Sequence, residues 1–408
     1  MSATTIADLD RNDPLKDRRA LFEIPDGVIY LDGNSLGPLT TAARLRAAAA
    51  VTEQWGVALI RAWNAHGWMG LPGKVGDRIG GLIGAPPGTV LACDTTSVNI
   101  FKLLSAALAL KPDRTVILSD TGNFPTDLYI ADGLTKLMGA GRSVRVVPFE
   151  DISGSLTKEV AAVLLTDVDY RTGRRHDMPG LTRTIQAAGA LAIWDLCHSA
   201  GAMPTDVTAA GVDLAVGCSY KYLNGGPGAP AWVYVAPRHL DVVTQPLTGW
   251  LGHAAPFEFT QDYRPAPGIA RMLAGTPSVI GLSVLDAALD AFDGVDMHAL
   301  RAKSLKLADV FHAAVTKRYP DIERLTPLAN EERGSQLAYR FEHGYAVIQA
   351  LIDKGVIGDF RAPKIMRFGF TPLYLSYAEA ARAGDLLAET LAEQPWQLPK
   401  YQVRKVVT

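Results

Sequence analysis

Between Thr89 and Val235 the sequence repeats one alternation: a short, unbroken apolar run, then a longer segment with apolar residues at helical spacing. The runs are Thr89–Cys93, Thr115–Ser119, Val144–Phe149, Ala161–Thr166, Ala190–Asp195, Asp213–Cys218 and Ala231–Val235. A strand with one wet face alternates apolar and polar residues, whereas a strand covered on both faces does not. Between the runs, Val98–Leu110 places Ile100, Phe101, Leu104 and Leu108 on one helical face before Lys111-Pro112 stops it, and Leu181–Gly189 ends on a glycine. The pattern predicts an α/β, doubly wound large domain: a seven-stranded, mainly parallel sheet with helices on both faces. In such sheets ligands sit outside the carboxyl ends of the strands, so the residues just after each run carry the chemistry.

From about residue 270 the pattern changes. Helical spacing over Ser278–Phe292 and Leu300–Arg318, strand-like pieces at Gln336–Phe341 and Ile365–Gly369, and a helical pattern over Tyr377–Glu393 predict a smaller α+β C-terminal domain. We divide the chain into an N-terminal arm or small-domain segment (1–40), a large domain (41–275) and a small domain (276–408), with Pro/Gly-rich linker candidates at 70–88 and 262–277. A chain of 408 residues supports this without disulfide staples.

Charge and cysteine use exclude several roles. With 40 basic against 42 acidic residues the net charge is −2, unlike the basic footprint of a nucleic-acid binder. No apolar stretch reaches the roughly 18 residues of a membrane span, and Met1–Leu21 is polar and mixed in charge, without the core of a secretory signal. The three cysteines, Cys93, Cys197 and Cys218, form no CxxC pair and read as reduced core thiols. A cytoplasmic protein without a metal site is expected.

Lys221 follows the run Asp213–Cys218 and precedes a Gly/Pro-rich loop. A lysine at a buried strand end is costly unless paired, neutral or used covalently as an amine; alone it reads as a loop lysine. Asp195 ends the run Ala190–Trp194, with His198 three residues on. Pyridoxal phosphate (PLP) draws electrons only while its pyridine nitrogen keeps a proton, which a carboxylate holds there. His198 orients that carboxylate, stacks on the ring, or is a core histidine. Asp94-Thr95-Thr96-Ser97 stands between a run and a helix start, as a phosphate cradle or as plain N-capping. Phe124-Pro125-Thr126-Asp127 follows the second run, placing an aromatic face for a flat cofactor or making a turn over the core. Together the Asp, His and Lys at strand ends favour PLP.

These segments also resemble a known family. The chain is similar to kynureninase, of the aminotransferase class V group within PLP-dependent transferase fold type I. The likeness runs through YLDGNSLGP (30–38), TTSVN (95–99), FPTD (124–127), YRTG (170–173), WDLCHSAG (194–201), CSYKYLN (218–224), GWLGH (249–253) and FTPLY (370–374). The resemblance implies PLP-dependent hydrolysis of L-kynurenine, and possible use of its 3-hydroxy form, to anthranilate and L-alanine. Such chemistry serves tryptophan breakdown or NAD biosynthesis. It implies Lys221 as the Schiff-base lysine, Asp195 as partner of the pyridine nitrogen with His198 beside it, and Thr96, Ser97 and Tyr220 on the phosphate. Phe124 stacks on the ring, with Pro125, Thr126, Asp127 and Thr166 around it; Lys221, Tyr220 and Asp195 carry catalysis. It further implies a homodimer in which Trp250 and Thr276 reach the cofactor of the second subunit, Arg367 as the clamp for the substrate α-carboxylate, and Trp63 or Trp68 as the wall of the substrate ring. On this reading Lys221 is a neutral base when free.

Two rivals follow from the same residues. A cysteine desulfurase or selenocysteine lyase of the same class shares the Asp-His-Lys set, but a desulfurase needs a late, mobile cysteine and none follows Cys218. A catalytically silent PLP-binding module would share the fold, yet has no use for both a base and a carboxylate clamp.

Overall fold

The computed structural model describes residues 3–139 and 141–405. A short strand near the start, β1 (Ile29–Tyr30), precedes the seven that the apolar runs forecast: β2 (Val90–Ala92), β3 (Val116–Asp120), β4 (Ser143–Val147), β5 (Val160–Thr166), β6 (Leu191–Asp195), β7 (Leu214–Gly217) and β8 (Trp232–Val235). They form one sheet in the order β2-β8-β7-β6-β5-β3-β4. The five strands β3 to β7 run parallel, and β8 is antiparallel to both β7 and β2. β5, β6 and β7 are buried at every residue, which is why they read as unbroken apolar runs. β4 departs from that expectation. It is the edge strand, partly exposed along its length, and its arginine, Arg145, pairs with Glu159 in solvent.

Two core clusters cover the two faces of this sheet. One is built on the helix Thr96–Leu110, whose Ile100, Leu103, Leu104 and Leu108 are buried. On the other face lies the helix Leu71–Leu82, inside the stretch expected to be a linker. Its glycines are packing residues: a Cβ at Gly76 would stand 2.2 Å from the Val90 carbonyl, so the helix rides directly on β2. Pro72 sits in the first turn, where proline lacks nothing the helix needs. The second linker candidate, 262–277, is irregular apart from a short 3-10 turn, Gly268–Met272.

The remaining strands are β9 (Glu323–Arg324), β10 (Gln336–Arg340), β11 (Val356–Ile357), β12 (Asp359–Arg361) and β13 (Ile365–Gly369). An antiparallel sheet β12-β13-β10-β9 forms beside the helices Met297–Arg318 and Tyr377–Glu393, which pack on one another. A reciprocal cap starts the last helix: Ser376 Oγ accepts from the Glu379 amide, and the Glu379 carboxylate accepts from the Ser376 amide. β1 pairs in parallel with β11, Ile29 opposite Val356. The Asn34–Gly37 segment is thereby carried across to the lysine loop, where the Gly37 amide donates to the Tyr220 carbonyl at 2.7 Å. A Cβ on Gly37 would lie 2.2 Å from the Lys221 carbonyl. That closeness is the physical reason for glycine in this motif.

Candidate active site

The carboxyl ends of β3, β5, β6 and β7, with the turn after β2, converge on a cavity of about 160 Å³. A single water occupies roughly 10–15 Å³ on that measure, so there is room for on the order of ten such groups. Thr96 and Ser97 enter from the first turn of the helix after β2, where Thr95 is the N-cap and accepts from the Val98 amide. Thr95 thus caps the helix, and the next two residues line the cavity at the helix start, where the first N–H groups have no partner within the helix. Phe124, Thr126 and Asp127 enter from the start of the helix Pro125–Met138, Thr166 from the end of β5, and Asp195, Cys197 and His198 from the end of β6 and the turn after it. Tyr220 and Lys221 close the far side. Pro125 stays out of the lining and serves as the first helical residue.

Within the cavity the charges are arranged but not neutralised pair by pair. Lys221 is half-buried, and its Nζ lies 3.1 Å from His198 Nε2. Burial opposes the lysine charge, yet Cys218, Cys197, Tyr220 and Asp195 carry its amine above the ordinary lysine value on balance. In the chain by itself Lys221 is therefore an ammonium, held so by the acidic groups around it. His198 is pushed well down by burial and by the positive charges of Lys221, Arg367 and Arg361, so its ring is neutral. Asp195 Oδ1 accepts from the Cys197 amide at 2.7 Å, which fixes the carboxylate at the strand end. Asp127 is buried with its Oδ2 lacking a hydrogen-bond partner, and burial together with Asp195 pushes its carboxyl well up.

Besides Pro125, four expected site residues lie outside this lining. Arg367, on β13, is buried in an ion pair with Asp359: its Nε donates to Oδ1 at 2.7 Å and a terminal nitrogen to Oδ2. The remaining donors reach Ser35 Oγ at 3.1 Å and the Tyr170 carbonyl. The guanidinium is one residue removed from the cavity, behind Tyr170, whose ring lines it and packs edge-on against Phe124 with centroids 5.1 Å apart. Trp250 is exposed and packs edge-on against the exposed Phe257. Thr276 lines a separate cavity of about 350 Å³ with Asp94 and Thr95. Trp63 packs edge-on against Trp68, with centroids 5.6 Å apart, and neither ring lines the cavity.

Sequence reasoning gave no role to Tyr170 or Cys197 in the cavity. Tyr170 stood in a quoted motif, but it lies in a loop beyond β5 where periodicity is silent. Cys197 is a buried thiol, as read, and also forms part of the wall.

Along its whole length the chain is similar to kynureninases. It is 49% identical over 407 residues to kynureninase of Burkholderia pseudomallei (strain 1106a) and to that of Pseudomonas fluorescens, covering 98% of this chain and 98% of each relative. The chain belongs to the kynureninase family. Residues 300–387 match the kynureninase C-terminal domain. Among solved structures, the cysteine desulfurase CsdA of Escherichia coli superposes with a TM-score of 0.77 at 19% identity, covering 92% of this chain and 98% of that one. That likeness establishes the shared class V fold; the kynureninase assignment rests on the full-length relatives.

Proposed function

We propose that this kynureninase-family chain hydrolyses L-kynurenine, with water, to anthranilate and L-alanine, using PLP. The observation that carries the reading is the Lys221 amine facing a cavity with Asp195 at the adjacent strand end, in a chain 49% identical to kynureninases end to end. The residues present suit the cofactor: a half-buried amine, a strand-end carboxylate, two hydroxyls at a helix start, and a buried Asp127 oxygen still lacking a partner. PLP, when bound, supplies an electron sink for the pair left as the substrate Cα–H bond breaks.

Each residue then has a task. Lys221 Nζ anchors the cofactor and, once displaced by the substrate amine, takes and returns the Cα proton. Asp195 holds the proton on the pyridine nitrogen. Thr96, Ser97 and Tyr220 bind phosphate oxygens; Phe124 covers one ring face, with Thr126, Asp127 and Thr166 around it. Tyr220 adjoins Lys221, whose Nζ is 5.7 Å from its ring centroid, and moves the proton as water adds to the γ-carbonyl and the Cβ–Cγ bond breaks. Arg367 binds the α-carboxylate by exchanging the Tyr170 carbonyl for it, a bidentate task suited to a planar guanidinium.

The active unit is a homodimer. Trp250 and Thr276 complete the partner's site, and Trp63 or Trp68 walls the substrate ring. This is supported by exposed apolar side chains at Trp55, Val57, Ile60, Trp250, Phe257 and Phe259, more than a lone subunit leaves in water without use. Residues 1–40, 41–275 and 276–408 act as arm, large domain and small domain, the arm being tied to the last by the β1–β11 pairing. Three free, buried cysteines suit the reducing cytoplasm, and no helix among the described residues is long and apolar enough to cross a membrane.

The test is incubation of the purified, PLP-loaded protein with L-kynurenine, 3-hydroxy-L-kynurenine and L-cysteine. Anthranilate fluorescence from L-kynurenine is the expected result. Sulfide from cysteine would replace this reading with the lyase one, and a yellow protein inert to all three would make it a binding module.

A further inference from the structure

His198 has a second ring nitrogen to account for. In the chain by itself Lys221 is an ammonium, and an ammonium only donates, so His198 Nε2, 3.1 Å away, accepts. In the neutral ring the proton then sits on Nδ1. That nitrogen is buried and has no partner within bonding distance among the described residues. One other buried polar atom nearby is in the complementary state. Gln336, at the start of β10 and 1% exposed, has an Oε1 that is likewise buried and unpartnered. Its Nε2 donates to the Tyr170 carbonyl at 3.1 Å and reaches toward the Asp169 carbonyl at 3.5 Å, which fixes the carboxamide and turns the oxygen away from that loop. Gln336 is also the side chain that acts on His198 as a hydrogen-bonding neighbour. A buried donor and a buried acceptor are thus left unpaired on neighbouring side chains, the small sheet carrying one and the turn after β6 the other, where buried polar groups as a rule find partners.

We propose that Gln336 is a positioning residue: its Oε1 accepts a hydrogen bond from His198 Nδ1–H and fixes the imidazole tautomer, leaving Nε2 as the ring's acceptor, turned to Lys221 while that amine is free. Resting on the kynureninase reading, the same carboxamide has a second consequence. The Tyr170 carbonyl that accepts from Gln336 Nε2 also accepts from Arg367. Substrate carboxylate that draws Arg367 away from this carbonyl therefore changes the setting of Gln336, and through it the imidazole that holds the lysine. The residue type follows from the charges facing the ring: Lys221, Arg367 and Arg361 are all positive, and a neutral amide leaves the imidazole neutral. A carboxylate at 336 would recruit a second ring proton, and Nε2 would stop accepting.

The test is ¹⁵N-histidine NMR of the holoenzyme, with the His198 signals among the eight histidines identified by their loss in His198→Gln. Wild-type protein is expected to show the Nδ1–H tautomer. In Gln336→Met, which keeps length and apolar volume, His198 is expected to lose that single tautomer. The pH profile of the visible cofactor band should move by about one unit, and kcat should fall roughly 10-fold, the lower range for outer partners of functional histidines, with KM changed less. Gln336→Glu should keep the Nδ1–H and raise the ring's pKa by about a unit or more. A wild-type His198 with its proton on Nε2 overturns the proposal outright, whatever the variants do. So does a Gln336→Met enzyme with unchanged tautomer and unchanged pH profile; if that variant does not fold, the wild-type and Gln336→Glu spectra decide. An enzyme that releases no anthranilate from L-kynurenine yet shows the wild-type tautomer refutes the kynureninase reading and leaves Gln336 standing.

Discussion

Asp213 and Asp127 lie at opposite ends of one sheet, both buried, and meet opposite surroundings. Asp213 precedes β7 at the amino end. It accepts from Gln186 Nε2 and the Ala192 amide, each at 2.9 Å, and from Arg238 at 2.7 Å, with His239 at 2.8 Å. Burial alone would raise its carboxyl, but these partners bring it down to about 2. Asp127, at the carboxyl end, has one oxygen unpartnered, and burial and Asp195 push it up. The first end spends its polar groups on each other and locks the strands. The second keeps charges near one another without pairing them off, a state a fold retains where a ligand will complete it.

Breaking each end should therefore do different damage. The largest effect belongs to Lys221→Ala: turnover of L-kynurenine should drop by about 10³-fold or more and the visible cofactor band should vanish, while the melting temperature of the cofactor-free protein stays near that of wild type. Retention of the band would show that another amine anchors the cofactor. At the other end, Asp213→Ala should cost about 3 kcal/mol in a denaturant titration, because it strands buried donors and a cation, with kcat of the folded fraction unchanged. A milder probe is pH. The folded pKa of Asp213 lies below its ordinary 3.8, so its ionised form stabilises the fold above about pH 4 and that contribution, about 2 kcal/mol, is lost as the pH falls toward 2. Asp213→Asn should flatten the acid limb of the stability curve over that window. The smallest change is expected for Asp127→Asn. A carboxyl raised above its ordinary value costs stability as pH climbs past that value, so the amide should match or exceed wild type by about 1 kcal/mol at pH 8 while binding PLP less tightly. Destabilisation by this variant would mean that Asp127 belongs with Asp213.

The strands that carry both ends, and much of the open end, were legible in the sequence; the Asp213 network was not, because its partners come from three separate segments. Both faces of β5, β6 and β7 are covered, so composition alone marked them, and strand ends then led to Asp195 and Lys221. β4 was misjudged as a buried run because three valines outweighed the single Arg145 that marks an edge. The helix Leu71–Leu82 was hidden because its glycines serve close packing on β2, a use indistinguishable from a linker until the partner strand is in place. Arg367 was named as a carboxylate clamp through the resemblance, but neither its burial nor its pairing with Asp359 was legible, since the two meet across a hairpin register that no periodicity encodes. Gln336 left no trace, being one polar residue at a strand start whose partner stands in the other sheet.

The β1–β11 pairing has a consequence for how the protein is made. Ile29 has no strand partner until Val356 has left the ribosome. The large sheet can assemble from contiguous units well before then, with Lys221 already at its strand end. What that early form lacks is the Gly37 contact over the lysine loop, and the sheet that carries Gln336 and Arg367. A nascent chain would thus carry the lysine at its strand end first and gain the small-domain groups around it last.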